Sequence, residues 1–268
     1  MRRLDASPHL NVHIVARSDD PEFETGFTIL DEYFGSRGEM ESREVISRRF
    51  DWHPAKVQQG FSLDYQLAVI RDAENEIAAV GDYSVILDHA AIEQGGAAVV
   101  HLSHIWVNPK KPGRGIVKHL MHTLTTEAAK QALVAAGFSE SCPITLAAEM
   151  EPFEAGNQER IRRLKVFLHC GLVMVDPATI AYYQPDFRQP HDIDQSGGAE
   201  ALLLTMMLRR VGRETQTSAS AAEIRHIVNC LYHMYAQGIR AQDMQSAYAT
   251  LQHYPEQDVA VPLLSKLD

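Results

Sequence analysis

Cysteine is scarce in this chain. Cys142, Cys170 and Cys230 are far apart and odd in number. They supply neither a disulfide framework nor the paired thiolates of a zinc site, and they fit a reducing, cytoplasmic setting. Long apolar runs are missing as well: nothing approaches the roughly eighteen consecutive apolar residues of a membrane span, so no membrane partner is expected. The opening Met1-Arg2-Arg3-Leu4-Asp5-Ala6-Ser7-Pro8 lacks the apolar core of a signal peptide. Positive charge is in the minority, with 25 Lys and Arg against 35 Asp and Glu and a formal net charge of -10. That balance argues against a nucleic-acid partner. It weakly favours a cationic acceptor and more generally keeps a protein in solution. Two nucleotide signatures are absent: no glycine turn ends in Gly-Lys-Ser/Thr, and no Gly-x-Gly-x-x-Gly occurs. His119 and His122 share a helix face without the glutamate of a metal motif, so no metal site is expected.

What remains is ample for a sizeable core, since 45% of the 268 residues are hydrophobic. Residues 11–17 alternate as a strand does. Asp20-Pro21 is a helix start, with Asp as N-cap and Pro in the first turn, and Phe23, Phe27, Leu30 and Phe34 follow at helical spacing. A second short helix is expected over 43–50. Strands at 66–71 and 76–87 flank a hairpin turn at 73–75, and Gly95-Gly96 breaks the chain before a long strand at 97–107. A helix at 115–136 carries a buried stripe of Ile116, Leu120, Leu124, Ala128 and Ala132 and stops at Gly137. A strand at 143–150, a basic amphipathic helix at 157–170, and strands at 172–175 and 201–208 complete the body. After a polar stretch at 212–218, Ser220-Ala-Ala-Glu223 forms a capping box. It opens a helix with Ile224, Ile227, Val228, Leu231, Tyr232 and Tyr235 on one face, and 242–254 is expected to be helical too. The division expected is a body at 1–212 and a helical appendage at 213–268, whose apolar face would close its own core or form a homodimer.

The run Val107-Asn-Pro109-Lys-Lys111-Pro112-Gly113-Arg114-Gly115-Ile116-Val117 is the richest in information. A glycine turn that opens a helix directs backbone N–H groups outward, with the positive end of the helix dipole behind them. Glycines lack Cβ and let a ligand approach the main chain. Such a turn suits a phosphate or pyrophosphate.

The run and the order of elements around it resemble the GCN5-related N-acetyltransferase family, whose signature is an apolar strand, Val-x-Pro-x-x-(Gln or Arg)-Gly-x-Gly-x-(Gly or Ala), and a helix. Val107, Pro109, Gly113 and Gly115 stand at the matching offsets, and Ile116, Lys118, Leu120 and Met121 continue in the same style. Pro112 and Val117 depart from it. The resemblance covers roughly 11–210 and implies an α/β (α+β) fold: a mixed, mostly antiparallel central sheet flanked by helices. It implies acetyl-CoA as co-substrate, gripped by Ile105, Trp106, Val107, Lys111, Pro112, Gly113, Arg114, Gly115, Ile116 and Val117, and direct attack by a primary amine of a small molecule. The family's later helix ends Tyr-x-x-x-Gly-Phe and bears an Asn near its start. Here that end reads Phe167-Leu-His-Cys-Gly171-Leu172, with Arg160 at the usual Asn position and Asn157 one turn earlier; the resemblance adds Asn157, Arg160 and Phe167 to the residues expected to bind the cofactor. The tyrosine that protonates the leaving thiolate is therefore replaced by Phe167.

The amine must lose a proton, so a base is required. The long strand offers His104 on one face and His101 with Ser103 on the other. The next strand offers Glu149 and Glu151, with Glu149 nearer its centre. The catalytic candidates are Glu149, His104 and Ser103. Tyr182-Tyr183 is a further candidate, as lining of an acceptor pocket or as a substitute acid. Each also has a plain structural role available as a hydrogen-bonded sheet residue, a solvated strand end or packing. Two alternatives stand beside the small-amine enzyme. One is a transferase with another acyl donor or a protein-lysine acceptor. The other is a degenerate relative that binds CoA, or nothing, in a regulatory or assembly role.

Overall fold

A computed structural model describes residues 10–111 and 115–266. The first half of the chain runs β1 (Asn11–Val15), α1 (Pro21–Phe34), α2 (Arg43–Arg49), β2 (Phe61–Arg71), β3 (Ile77–Asp88), α3 (His89–Glu93) and β4 (Ala98–Val107). Then come α4 (Ile116–His119), a π-helical turn at Leu120–Leu124 and α5 (Thr125–Ala135), which follow one another without a break. The rest comprises β5 (Ile144–Met150), α6 (Gln158–His169), β6 (Val173–Val175), β7 (Tyr182–Gln184), α7 (Pro190–Ser196) and β8 (Leu202–Arg210). It closes with β9 (Ser218–Ser220), α8 (Ala221–Tyr235), α9 (Gln245–Thr250) and β10 (Ala260–Leu264). The molecule is mixed α/β, and the strand pairs β1–β2, β5–β8, β6–β8, β7–β8, β6–β10 and β9–β10 are all antiparallel.

The chain forms two compact units. One comprises the residues up to Leu87 together with Val100–Ser141, and the other Asp88–Val99 with Cys142 onward. In the first unit the strands are ordered β1-β2-β3-β4. The β2–β3 turn is held by Asp72, whose carboxylate accepts from the N–H groups of Glu74 and Glu76 (3.1 and 3.0 Å), while Asn75 takes φ +62°. Helix α1 starts where the sequence places it: Asp20 Oδ1 accepts from Glu22 N at 2.9 Å. Its buried face sets Phe23, Phe27 and Leu30 against Val15, Leu67 and Val69 in one apolar cluster. Gly81 on β3 lies under the π turn, where a Cβ would collide with the Leu120 side chain.

In the second unit the order is β5-β8-β6-β10-β9, with β7 also on β8. The segment expected as a helical appendage is helical at α8 and α9, yet it also places β10 beside β6 and β9 beside β10. The apolar face of α8 is buried within its own chain, with Ile224, Ile227, Val228, Leu231 and Tyr232 all inaccessible to solvent. Its capping box forms as expected, Ser220 Oγ accepting from Glu223 N at 3.1 Å. Among the described residues no helix is long and apolar enough to cross a membrane, and no group of three metal-ligating side chains occurs.

Candidate active site

The helix that follows the glycine run opens at Gly115, which is left-handed (φ +70°, ψ 8°), a conformation that glycine adopts without strain. Among the described residues no side chain caps this end. The carbonyl of Gly115 accepts the first helical bond, from His119 N at 2.8 Å. Pro112, Gly113 and Arg114 lie outside the described residues. Of the other residues expected to line the cofactor site, Ile105, Trp106 and Val107 end β4 half-buried, Ile116 is buried, and Val117 is half-buried. Asn108 turns the chain out of β4. Its N–H donates to Ala78 O and its Nδ2 to Ile77 O, both at 2.9 Å, and its Oδ1 accepts from Lys110 N at 3.0 Å.

Lys111 is spent differently from the expectation. Its ammonium pairs with Asp72 and, at 2.6 Å, with Glu76, so it staples the run to the β2–β3 turn. The Lys111 bond holds the Asp72 carboxyl below the usual carboxylate range. Lys110 beside it is exposed.

His104 is fixed at both ring nitrogens. Nδ1 lies 2.9 Å from Asp82 Oδ1, and Nε2 lies 2.9 Å from the backbone oxygen of Glu39. A carbonyl oxygen and a carboxylate both accept, so both nitrogens carry protons and the ring is an imidazolium. Burial opposes charge on each group, and their mutual attraction overrides it. Asp82 stays below the usual carboxylate range, and His104 is raised to about 9 by Asp82, the Glu39 carbonyl and Glu41. Tyr65 Oη donates to Asp82 Oδ2 at 3.1 Å, and Phe34 packs on the imidazole at 4.9 Å. Arg49, paired with Glu41, lies over the Tyr65 ring. With both nitrogens engaged, the ring ties β4 to Asp82 of β3 and to the backbone at Glu39. Ser103 is half-buried, and its Oγ lies 3.1 Å from His101 Nδ1, on the strand face opposite His104.

In the second unit Glu149 sits on β5 opposite Met206 of β8. Its carboxylate accepts from two phenols. Tyr182 on β7 donates to Oε1, and Tyr235 at the end of α8 donates to Oε2 at 2.9 Å, with 3.1 Å to Oε1. Both tyrosines are buried, whereas Glu149 retains partial access to solvent. Burial and the Glu149 charge push the Tyr182 phenol well above its ordinary pKa, so it remains a donor. Asn157 is the N-cap of α6, accepting from Arg160 N at 3.2 Å. Arg160 pairs with Glu154 at 3.0 Å, and Arg163 pairs with Glu151 at 2.5 Å. Phe167 is half-buried on the same helix.

Two members of these clusters are absent from the sequence-based candidates. Asp82 lies in a strand that reads as uniformly apolar, and Tyr235 reads as one more residue of an apolar helix face. Their signals are a carboxylate inside a buried strand and a phenol on a buried face, each of which must find a partner.

No family model and no curated protein matches the sequence. Among solved structures it is similar to a protein described as an acyl-CoA N-acyltransferase of Klebsiella pneumoniae, at 14% identity over 76% of this chain and 99% of that one, with a TM-score of 0.35. It is also similar to the spermidine N-acetyltransferase of Vibrio cholerae, solved with CoA and spermine, at 12% identity over 78% and 99% of the two chains, TM-score 0.39. A third is the GCN5-related glucosamine N-acetyltransferase region of a fungal multi-domain GH3 β-N-acetylglucosaminidase, at 18% identity over 70% of this chain and 20% of that one, TM-score 0.38. At these identities and scores the similarity carries no chemistry across.

Proposed function

We propose that the chain is an acyltransferase that moves an acetyl group from acetyl-CoA to a primary amine of a small molecule by direct attack. The observation that supports this reading is the helix opening at a left-handed Gly115, led in by a strand and a Val-x-Pro-x-x-x-Gly-x-Gly run, with no side-chain cap among the described residues. The first-turn N–H groups from Ile116 onward, with the dipole behind them, suit the diphosphate of coenzyme A. Acetyl-CoA supplies the acyl carbon and a thiolate leaving group. An ammonium first gives one proton to a base; the neutral amine nitrogen then forms the new bond to that carbon, the carbon–sulfur bond breaks, and the second proton lost by the nitrogen ends on the departing thiolate, giving the CoA thiol.

Glu149 is proposed as the base: its carboxylate accepts hydrogen bonds from Tyr182 and Tyr235, and a carboxylate can take up the proton that the amine must lose. Phe167 has no proton to give. A thiol of ordinary pKa, roughly 8.5, leaves without an acid at that position, at some loss of rate. Phe167 also favours a second reading, a protein that binds CoA without turning it over.

Thermal melting with CoA and with acetyl-CoA tests the first step. A ligand at 100 times its Kd stabilises by about 2.7 kcal/mol. Both ligands are expected to raise the melting temperature, and release of free thiol with a panel of primary amines separates the enzyme from the non-enzymatic reading. Gly115→Asp sharpens the test. Among the described residues a Cβ there meets nothing within 4 Å, and Asp tolerates the left-handed conformation better than most residues. The fold should survive while the added charge weakens CoA binding by at least tenfold. Unchanged affinity places the phosphates elsewhere.

A further inference from the structure

We propose that a cavity inside the second unit, between the α3–β4 corner and the first turns of α8, binds a small organic monocarboxylate with Arg213 as its anchor. This site is independent of the acyltransferase reading.

The cavity holds about 400 Å3, within the range of small-molecule sites. Ala91, Ala97, Pro143 and Ile227 supply its apolar lining, and Arg213, Glu223 and His226 are its ionisable lining. Gln94 and Gly95, which also line it, are exposed, so it opens to solvent. His226 Nε2 donates to Ala97 O at 3.2 Å and ties α8 to the residue that leads into β4.

The charges here do not balance. Glu223 serves two arginines: Oε2 pairs with Arg210 Nη1 at 2.9 Å, and Oε1 pairs with Arg213 Nη1 at 3.0 Å. Arg210 is buried and also donates to Gln216 and to Ser218 O. Arg213 is less well served. Its Nη2 reaches Thr145 Oγ1 only at 3.4 Å, and its buried Nε has no hydrogen-bond partner among the described residues. One carboxylate against two guanidiniums leaves a positive charge in excess, and Arg213 is the one of the two that lines the cavity. Two further carboxylates nearby in the chain are committed elsewhere. Asp88 caps α3 through Ala91 N at 3.1 Å, with its other oxygen 3.6 Å from His226 Nδ1, and Glu214 pairs with Arg209 at 3.0 Å.

The backbone narrows the class of anion. A phosphate site gathers several free amides. Here Gly95 N donates to Ile92 O at 2.9 Å and Gly96 N to Ala91 O at 2.8 Å. At the start of α8, Ala221 N donates to Val259 O, Ala222 N to Gln257 O and Glu223 N to Ser220 Oγ. The anchor is therefore a guanidinium, whose planar fork matches the two oxygens of a carboxylate. The apolar lining suits a short hydrocarbon body.

The test is two-dimensional amide NMR of the full-length protein, titrated with sodium butyrate, sodium benzoate, butyramide and inorganic phosphate. Both carboxylates are expected to shift the amides of Gly95, Gly96 and residues 223–227 saturably. Butyramide lacks the charge and phosphate the apolar body, and each should bind about tenfold or more weakly. Arg213→Gln should weaken butyrate by about the same factor. Because Arg213 also pairs with Glu223, Ala91→Leu is the companion variant: it fills the apolar part of the cavity, keeps every charge and should likewise weaken butyrate about tenfold. No saturable shift with either carboxylate, or shifts confined to other residues, overturns the site. Butyramide binding as tightly as butyrate overturns the anionic class, and phosphate binding more tightly overturns the carboxylate. Undiminished binding in either folded variant places the ligand elsewhere.

Discussion

At the residue scale the firmest result concerns His104. Its position on β4 made it a candidate base, and its two occupied nitrogens make it a buried cation instead. A group whose pKa is raised by folding stabilises the native state fully below its unfolded value, roughly 6.5. That contribution is lost as the pH climbs through the folded value of about 9. Denaturant unfolding should therefore show stability draining away between about pH 7 and pH 9.5, by an amount on the order of 3 kcal/mol for a shift of this size. Asp82→Asn should remove most of this slope and cost about 3 kcal/mol or more at neutral pH, because it leaves a buried imidazolium without its partner. A flat stability profile in the wild-type protein over that range would show the imidazole to be neutral. None of this is legible in the sequence, since the carboxylate lies 22 positions away on a strand and the carbonyl 65 positions away in a loop.

Elements with local causes are the ones that the sequence displays. Asp20-Pro21 and Ser220 through Glu223 mark their helices because the caps are made by residues within three positions. Alternation and glycine breaks find the long strands for the same reason. Short elements with distant causes are missed. The π turn at Leu120–Leu124 depends on an N–H of Thr125 reaching the carbonyl of Leu120, and periodicity reads through it. Strand β10 is five residues long and exists because β6 and β9 accept it on either side. At this scale Gly81→Ala is informative. The added methyl meets Leu120 beneath the π turn, and chemical denaturation should register a loss of about 1–3 kcal/mol. A neutral result would mean that the helix can slide. Ser220→Ala should cost about 1 kcal/mol through the lost cap on α8.

At the scale of the whole molecule, the sequence of residues 213–268, about the last fifth of the chain, shows a capped helix with an apolar face that would close the core of its own subunit or meet a second copy. In the structure that face is buried within its own chain, Tyr235 of α8 donates to Glu149 of β5, and Arg210 of β8 spends its guanidinium on Glu223, Gln216 and Ser218. Truncation at residue 212 should therefore give an insoluble or molten product, seen by loss of a cooperative melting transition, rather than a trimmed acyltransferase. The glycine run is the part of the proposed site that the sequence displays, because backbone amides at a helix start need only consecutive residues. The Glu149 cluster joins positions 33 and 86 residues apart, and only the fold brings them together.

Calorimetric titration of the wild-type protein with coenzyme A, repeated on Gly115→Asp, bears most directly on the proposal that the helix opening at Gly115 grips a phosphate. Saturable one-to-one binding that weakens at least tenfold in the variant, with melting temperature preserved, is the expected outcome. No heat of binding in the wild type, or equal affinity in both proteins, would contradict it.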